Sequence, residues 1–311
     1  MVHVSFAYAS LPTGTPRGLE RDMSIPPSSP FTFTLAGAGC VGTAVAVLLA
    51  RAGHKPVGTA SRSAASAERA AGLLGAQTYS VAHLPPADVV LVGAPDDAIA
   101  EVAGLVPAVR GSVVWHFAGS RGLGPLEPAL SRGALGAALH PVQACPSIEA
   151  ATLRLPGSAW GVTCSDELRE WAQVMIAGDL RGIPVTVASK DRPAWHASSV
   201  ITANGISALL SAGERVLGSI GVDDPIAILG PIAAGVIANA REAGGATATL
   251  TGPVVRGEVA VIERHLAALE GTEGRAPYAA ATRMIIAAAV ASGRIDNETA
   301  AKMSALLGDE R

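Results

Sequence analysis

The sequence is poor in cysteine, aromatic residues and charge. Its 311 residues include 3 cysteines, 4% aromatic residues and 16% charged residues. Cys40, Cys145 and Cys164 are odd in number and lack Cys-x-x-Cys spacing, which excludes a disulfide framework and is typical of the reducing cytoplasm. Because no Cys/His cluster has the spacing of zinc ligands, we expect no metal site.

An excess of positive charge is also missing. The formal net charge is -3, and no basic patch is interleaved with aromatic residues, which argues against nucleic-acid binding. The longest charge-free stretch in the second half of the chain, residues 194–213, is interrupted by His196, Ser198 and Asn204. We therefore interpret it as a buried helix and expect no membrane partner.

Residues 1–30 lack hydrophobic periodicity. They contain five prolines together with serine and glycine, which predicts a flexible N-terminal extension. The basic start, apolar run and cleavage site of a signal peptide are missing, so we expect a cytoplasmic protein.

One stretch organises the first half of the chain. A β-branched and aromatic run at residues 31–35 leads into a glycine turn, and an apolar segment of helical length continues to Arg51. The turn consists of Gly37, Ala38, Gly39, Cys40, Val41 and Gly42. Glycines in such a strand–turn–helix unit permit a tight turn, approach of backbone N–H groups to a pyrophosphate, and close helix packing. The pattern predicts a dinucleotide site, with an ordinary glycine-rich turn as the alternative.

Strand and helix patterns divide the chain near Ser189. Eight runs of strand composition come first: 31–35, 55–60, 77–81, 88–93, 112–117, 135–139, 159–164 and 183–188. Helical runs follow at 193–218, 225–243, 254–269, 277–292 and 297–307. We therefore predict an α/β fold, with a Rossmann doubly wound parallel sheet over residues 31–189 and an all-α domain over residues 190–311.

The second strand leads into Ser61, Arg62 and Ser63, where a Rossmann domain selects its cofactor. An acidic residue here would bind the ribose hydroxyls of NAD, but none occurs between the glycine turn and residue 67. An arginine flanked by hydroxyls suits the 2′-phosphate of NADP. The sequence therefore predicts NADP(H); the alternative for Arg62 is a solvated loop.

Polar side chains follow the later strands. Ala94 and Pro95 come after the fourth strand run and are expected to lie along the cofactor, while His116, Ser120 and His140 lie at or just after the ends of the next two. Open α/β sheets bind ligands outside the carboxyl ends of their strands, and a histidine there can orient a carbonyl or donate a proton. A hydrogen-bonded structural role is the alternative for both histidines.

The first predicted helix of the second half carries His196 and Asn204. At 100° per residue they lie roughly 80° apart and two turns from each other, on one face. Buried polar groups need partners, which either a substrate or an intra-core network would supply.

A second polar cluster runs from Thr251 to Glu258. We predict that Thr251 caps a helix, that Pro253 occupies an early helical position, and that Arg256 and Glu258 follow without facing each other. Arg256 is a candidate to bind a carboxylate and Glu258 to act as an acid or anchor. A solvated charged turn is the alternative.

These motifs together resemble bacterial proteins that combine a Rossmann-like domain with a DUF2520 domain. The resemblance runs from about Thr32 to Leu307 and rests on GAGCVG, DVVLVGAPDDAI, VVWHFAGS, ALHPVQA, WHASSVITAN and LTGPVVRGE. The wider group is the 6-phosphogluconate dehydrogenase-like superfamily, which includes ketopantoate, pyrroline-5-carboxylate and imine reductases and β-hydroxyacid dehydrogenases. It implies a Rossmann domain followed by a helical domain that often dimerises.

The resemblance also implies roles for single residues. In ketopantoate reductases a catalytic lysine begins the first interdomain helix, asparagines follow on its face, and a glutamate comes later. His196 stands near the position of that lysine, Asn204 matches an asparagine, and Glu258 matches the acid. Without the lysine, the proton donor would be His196 or His140.

We therefore predict an NADPH-dependent oxidoreductase that reduces a C=O group, as in a small 2-oxo acid, or a C=N group in the interdomain cleft. The candidate catalytic residues are His196, Asn204, His140 and Glu258, and the candidate substrate-binding residues are Ser120, Thr251 and Arg256. Two alternatives stay open: a non-catalytic NADP(H)-binding sensor or partner protein, and a deazaflavin- or imine-type reductase. Apolar faces in the Ala/Gly-rich helical half indicate a homodimer.

Overall fold

The structure is a computed structural model that describes Pro27 and residues 29–308. Nearly all of the predicted N-terminal extension therefore lies outside the described residues. The described chain forms two compact units that divide between His196 and Ala197.

The first unit is built on one sheet of seven strands in the order β2-β1-β3-β4-β5-β6-β7. The strands are β1 Thr32–Ala36, β2 Lys55–Ala60, β3 Val89–Val92, β4 Val113–His116, β5 Leu135–Pro141, β6 Ala159–Cys164 and β7 Ile183–Thr186. Neighbouring strands are parallel, except that β6 runs antiparallel to β5. The predicted Rossmann-type sheet is confirmed, with this one reversal as an addition.

Helices cover both faces of the sheet. They are α1 Cys40–Arg51, α2 Ala64–Leu74, α3 Ile99–Leu105, α4 Glu127–Leu130, α5 Ile148–Arg154 and α6 Arg169–Gly178. Because successive strand side chains point to opposite faces, Val89 and Leu91 pack in one core with α1, α5 and α6. Val90 and Val92 pack in the other core with α3 and α4. Burial on both faces explains why β3 is an unbroken apolar run.

One predicted strand, at residues 77–81, is reduced to a single bridge. Thr78 pairs with Thr59 of β2, and the chain then enters a short 3₁₀ turn at Val81–His83. The Ser80 hydroxyl lies 2.7 Å from Nδ1 of His83. This local side-chain bond competes with continuation of the ladder.

The second unit is helical, as predicted. The helix α7 Arg192–Ser219 begins in the first unit and continues into the second, followed by α8 Pro225–Glu242, α9 Val259–Ala268, α10 Arg275–Ala291 and α11 Asn297–Leu306. A core of Ile262, Leu266, Ile286 and Met303 joins α9, α10 and α11.

The expectation that residues 194–213 form a buried helix is wrong for the single chain. Ile201 of α7 is 68% exposed, and α8 has no buried residue. The apolar composition of α7 and α8 predicted burial. The hydrophobic core of the second unit, however, is formed by α9, α10 and α11, and most side chains of α7 and α8 are exposed. Across the described residues, no helix combines the length and hydropathy needed to cross a membrane.

Candidate functional site

The glycine turn after β1 packs backbone to backbone against the end of β3. Gly37 adopts a φ of 92°, and a Cβ there would lie 2.7 Å from the amide nitrogen of Ala94. A Cβ on Gly39 would lie 2.8 Å from the carbonyl oxygen of Gly93. The structure therefore brings the predicted turn residues and the loop at Ala94 together at the carboxyl edge of the sheet.

The turn ends at the N-terminus of α1. Gly39 is its N-cap and contributes no side-chain cap, and the first helical turn contains no acidic residue. Backbone N–H groups at such a terminus lack intrahelical partners and favour an anion. The helix without a side-chain cap, and the turn in which Gly37 and Gly39 carry no side chain, fit the pyrophosphate of a dinucleotide.

The predicted phosphate-selecting residues lie where β2 leads into α2. Ser63 is the N-cap of α2, and its hydroxyl accepts a hydrogen bond from the Ser66 amide over 3.4 Å. Ser61 is half-buried, and Arg62 is exposed and forms no ion pair with the described part of the chain. The guanidinium is thus available to an anion.

Sequence reasoning missed Arg69 of α2. Burial raises the pKa of the Cys40 thiol, the charge of Glu149 adds to this effect, and the Arg69 charge opposes it. The positive charge of Arg69 therefore acts on Cys40 of the glycine turn. Helical periodicity alone gave no signal, because it does not show which exposed arginine faces a neighbouring loop.

His116, at the end of β4, has a structural role. Its Nε2 lies 2.9 Å from the carbonyl oxygen of Gly122, and its Nδ1 accepts from the Ala118 amide over 3.1 Å. Burial, above all, lowers the pKa of His116 to about 4, and the nearby Arg192 charge also lowers it. Both ring nitrogens are occupied, so the histidine fixes the loop after β4.

His140 and His196 form an imidazole pair. Their ring centroids are 5.2 Å apart with an interplanar angle of 87°. Nδ1 of His140 lies 3.2 Å from the indole Nε1 of Trp195. Burial lowers the pKa of His140 to about 4, and the charges of His196, Arg192 and His116 add to this effect.

Gly119, which sequence reasoning missed, makes room for this pair. A Cβ at Gly119 would lie 2.8 Å from Nε2 of His140 and would overlap Nδ1 of His196. Nδ1 of His196 is buried and has no hydrogen-bond partner in the described structure. Two imidazole nitrogens thus pack closely against the backbone of Gly119, which leaves no room for a side chain there.

Arg192, also missed from sequence, is buried beneath the pair with 0% exposure. Its guanidinium donates to the carbonyl oxygens of Ala118 at 2.6 Å, Ala138 at 3.1 Å and Gly161 at 3.3 Å. Burial lowers the pKa of Arg192 to about 10, while the charge of Asp96 opposes that shift. A single arginine before a helix carried no sequence signal of these contacts, because they join residues distant in the chain.

Ser120 lies just beyond Gly119, as expected from its position after β4. Its hydroxyl is 3.5 Å from a carboxylate oxygen of Asp96. Asp96 follows β3, so the ends of β3 and β4 meet here. Its role as a substrate-binding residue stays a prediction.

The cluster at residues 251–258 differs from the expectation. α9 begins at Val259 with Glu258 as its N-cap residue, so Thr251 does not cap this helix and Pro253 is not within it. Gly257, with a φ of 70°, turns the chain before the helix. Because the preceding residues form this turn, the helical spacing argument for residues 256 and 258 was wrong.

Arg256 and Glu258 instead pair with each other. Nε and one terminal nitrogen of Arg256 each lie 2.8 Å from a carboxylate oxygen of Glu258. Both side chains are partly exposed, and the pairing occupies the two guanidinium nitrogens that a substrate carboxylate would need.

Asn204 lies on α7 and is exposed in the single chain, so the expectation that burial leaves it in need of a partner is wrong.

Two family models match the chain in the predicted order. A Rossmann-like domain matches residues 27–141, and a domain of unknown function, DUF2520, matches residues 158–285. These matches confirm the resemblance found in the motifs. No curated protein matches the sequence.

Solved structures share the fold. A proposed NADP oxidoreductase from Bacteroides fragilis is 23% identical with a TM-score of 0.68, covering 84% of this chain and 97% of its own. A Thermotoga maritima protein is 23% identical with a TM-score of 0.66, covering 84% and 99%. An imine reductase from Myxococcus stipitatus, in complex with NADP+, is 17% identical with a TM-score of 0.58, covering 88% and 99%.

Proposed function

We propose that this chain, a Rossmann-like domain followed by a DUF2520 domain, is an NADPH-dependent reductase of a C=O or C=N group. The observation that carries the proposal is that an anion cradle, formed by the glycine turn and the N-terminus of α1, lies on the same edge of one sheet as His140 of the imidazole pair. The cradle follows β1, and His140 lies near the end of β5. The order β1-β3-β4-β5 separates them by three strand spacings, about 14 Å.

The residues of the cradle fit NADPH. The N-terminus of α1 and the amides of the glycine turn would hold the pyrophosphate, and Arg62 with Ser61 would hold the 2′-phosphate. NADPH, when bound, supplies the hydride for reduction. The similarity to proteins described as an NADP oxidoreductase and an imine reductase in complex with NADP+ supports this assignment.

The imidazole pair fits the reacting end. Nε2 of His140 and Nδ1 of His196 both pack against Gly119, so a carbonyl oxygen or imine nitrogen that reached this place would meet both ring nitrogens. His196 is the proposed acid or base, because its buried Nδ1 has no hydrogen-bond partner in the described structure. A substrate would supply that partner.

The substrate is a small carbonyl or imine compound, with 2-oxo acids and cyclic imines as the first classes to test. The experiment follows NADPH absorbance with a panel of both classes, after NADPH and NADH affinities have been measured by titration. We expect tight NADPH binding and turnover with one class. Binding without turnover across the panel would favour the sensor function instead.

A His196→Ala variant tests the assignment within the site. Turnover should fall by at least about a hundredfold, the range typical of a general acid, with little change in NADPH affinity. His83→Ala, at an exposed histidine in the 3₁₀ turn between α2 and β3, is the matched control. Unchanged turnover in His196→Ala would remove the acid–base role.

We further propose a homodimer through the helical unit. Ile228, Ile232 and Val236 form one stripe of α8 and are 54%, 64% and 58% exposed in the single chain. A contiguous apolar stripe of this kind is typical of a surface that is covered in the assembled protein.

A further inference from the structure

Trp195 and His140 form a side-chain pair whose hydrogen bond has only one possible direction. The indole Nε1 lies 3.2 Å from Nδ1 of the imidazole. An indole N–H donates and never accepts, so Nδ1 of His140 must be the acceptor and carries no proton. In a neutral imidazole the single proton then resides on Nε2.

The reversed strand β6 prepares this contact. In the β5–β6 pair, Gly161 lies directly opposite His140. A Cβ on Gly161 would lie 2.6 Å from Nε1 of Trp195. Because Gly161 has no side chain, the indole can approach the imidazole. The pair is fixed by β5, β6 and α7.

The surroundings of His140 oppose a second proton. The titratable groups that act on it are His196 and Arg192 of α7 and His116 of β4, and each lowers the pKa of His140 in addition to the larger effect of burial. The carboxylate of Asp96 acts on Arg192 and His116 of this cluster. A proton on Nδ1 would also point directly at the indole N–H.

The other nitrogen of His140 packs against Gly119. Nε2 would lie 2.8 Å from a Cβ at Gly119, and Nδ1 of His196, which has no hydrogen-bond partner in the described structure, lies against the same point. The N–H fixed on Nε2 therefore lies beside the unpaired nitrogen of the proposed acid, and a substrate that reached His196 would also meet this N–H.

We propose that Trp195 is a positioning residue that holds His140 as the neutral Nε2–H tautomer, which makes His140 a hydrogen-bond donor to the substrate and not its cationic acid. The consequence for the substrate rests on the proposed reductase function, whereas the tautomer does not. The proton that completes reduction then comes from another group, for which His196 is the candidate.

The tautomer is measured by ¹⁵N–¹H NMR of the histidine side chains in the cofactor-free, full-length protein, with His140→Gln used for assignment. We expect an unprotonated Nδ1 and a protonated Nε2 at pH 7, unchanged at pH 5.5. A protonated Nδ1, or an imidazolium at pH 6 to 7, would overturn the proposal.

Trp195→Phe keeps a ring and removes the N–H. We expect His140 to exchange between both neutral tautomers and to take up a proton at higher pH than in the parent protein. Trp160→Phe is the matched control, since Nε1 of Trp160 is buried and has no hydrogen-bond partner in the described chain. An identical His140 spectrum in the Trp195→Phe variant would also contradict the proposal.

A kinetic measurement tests the consequence separately. In Trp195→Phe, kcat should fall about tenfold and its acid limb should move to higher pH, while the Kd for NADPH stays constant. If no substrate is found, the NMR result still decides the tautomer, so failure of the reductase assignment and failure of this inference are distinguishable.

Discussion

A Cβ on Gly93 would overlap the carbonyl oxygen of Gly37, so these two glycines meet backbone to backbone across β1 and β3. This contact sets the path of the glycine turn. Neither position tolerates a side chain without movement of the loop that is proposed to hold the pyrophosphate.

Gly93→Ala should therefore weaken NADPH binding by at least about a hundredfold, because the turn must shift away from the position that its amides need. Calorimetric titration measures the effect. Gly72→Ala, at a position of α2 with nothing within 4 Å of the added methyl group, should bind normally and be slightly more stable. Equal affinities in the two variants would contradict this account of the turn.

Arg62→Ala should reduce NADPH affinity by about tenfold or more and leave NADH affinity unchanged, because only NADPH carries the 2′-phosphate. Fluorescence titration with both cofactors gives the ratio. Arg169→Ala removes an equal charge from an exposed ion pair on α6 and serves as the control. A parallel loss for NADH would show that Arg62 does not select the cofactor.

Arg192→Met should lower the free energy of unfolding by about 3 kcal/mol, since it leaves buried carbonyl oxygens of three chain segments without donors. Urea denaturation measures the loss. Arg121→Met removes an exposed ion pair in which Arg121 lies 3.8 Å from Asp97. We expect this variant to change the free energy of unfolding by less than about 0.5 kcal/mol. Similar losses would mean that the burial of Arg192 does not stabilise the fold.

The stability of the protein should fall as the pH falls from about 6.5 to 4. The pKa values of His116 and His140 are lowered to about 4 in the folded protein, so the unfolded chain binds more protons in this window. A shift of this size corresponds to roughly 3 kcal/mol per group, fully present above pH 6.5 and lost below pH 4.

Urea unfolding of the parent protein at pH 7 and pH 5 measures this slope, and His116→Gln should flatten it. His83→Gln, at an exposed histidine, should leave it unchanged. An unfolding free energy that does not vary over this range would contradict the lowered pKa values.

Ile232→Glu should convert the proposed homodimer to monomer, because it places a carboxylate in the middle of the exposed stripe of α8. Analytical ultracentrifugation at several concentrations measures the change. Glu298→Gln, at an exposed ion pair of α11, is the control. A monomeric parent protein would disprove the dimer.

Most first-unit elements could be predicted because they leave a local pattern. The apolar run of β3 reflects burial on both faces, and the glycine turn is recognised from the spacing of its glycines between a strand run and a helical run. The prediction was wrong at Pro253. The capping residues indicated an earlier helix start, but the chain turns at Gly257 and α9 begins only after it.

The contacts of the candidate site were less predictable. His140 was identified from its place at a strand end. The partner of Trp195, however, is 55 positions away in the chain, and the carbonyl groups bound by Arg192 are 31 to 74 positions away. The reversal of β6, which sets Gly161 opposite His140, has no signature in the composition of the strand. Long-range geometry of this kind becomes visible only in the folded chain.

The bonds of Arg192 set a minimum length for a self-sufficient fragment of the first half of the protein. A polypeptide that stops at residue 189 contains every strand of the sheet yet loses the guanidinium that bridges the loop after β4, β5 and β6. One that extends through residue 196 retains it, together with both members of the imidazole pair. The opening residues of the long helix thus belong, in folding terms, to the sheet.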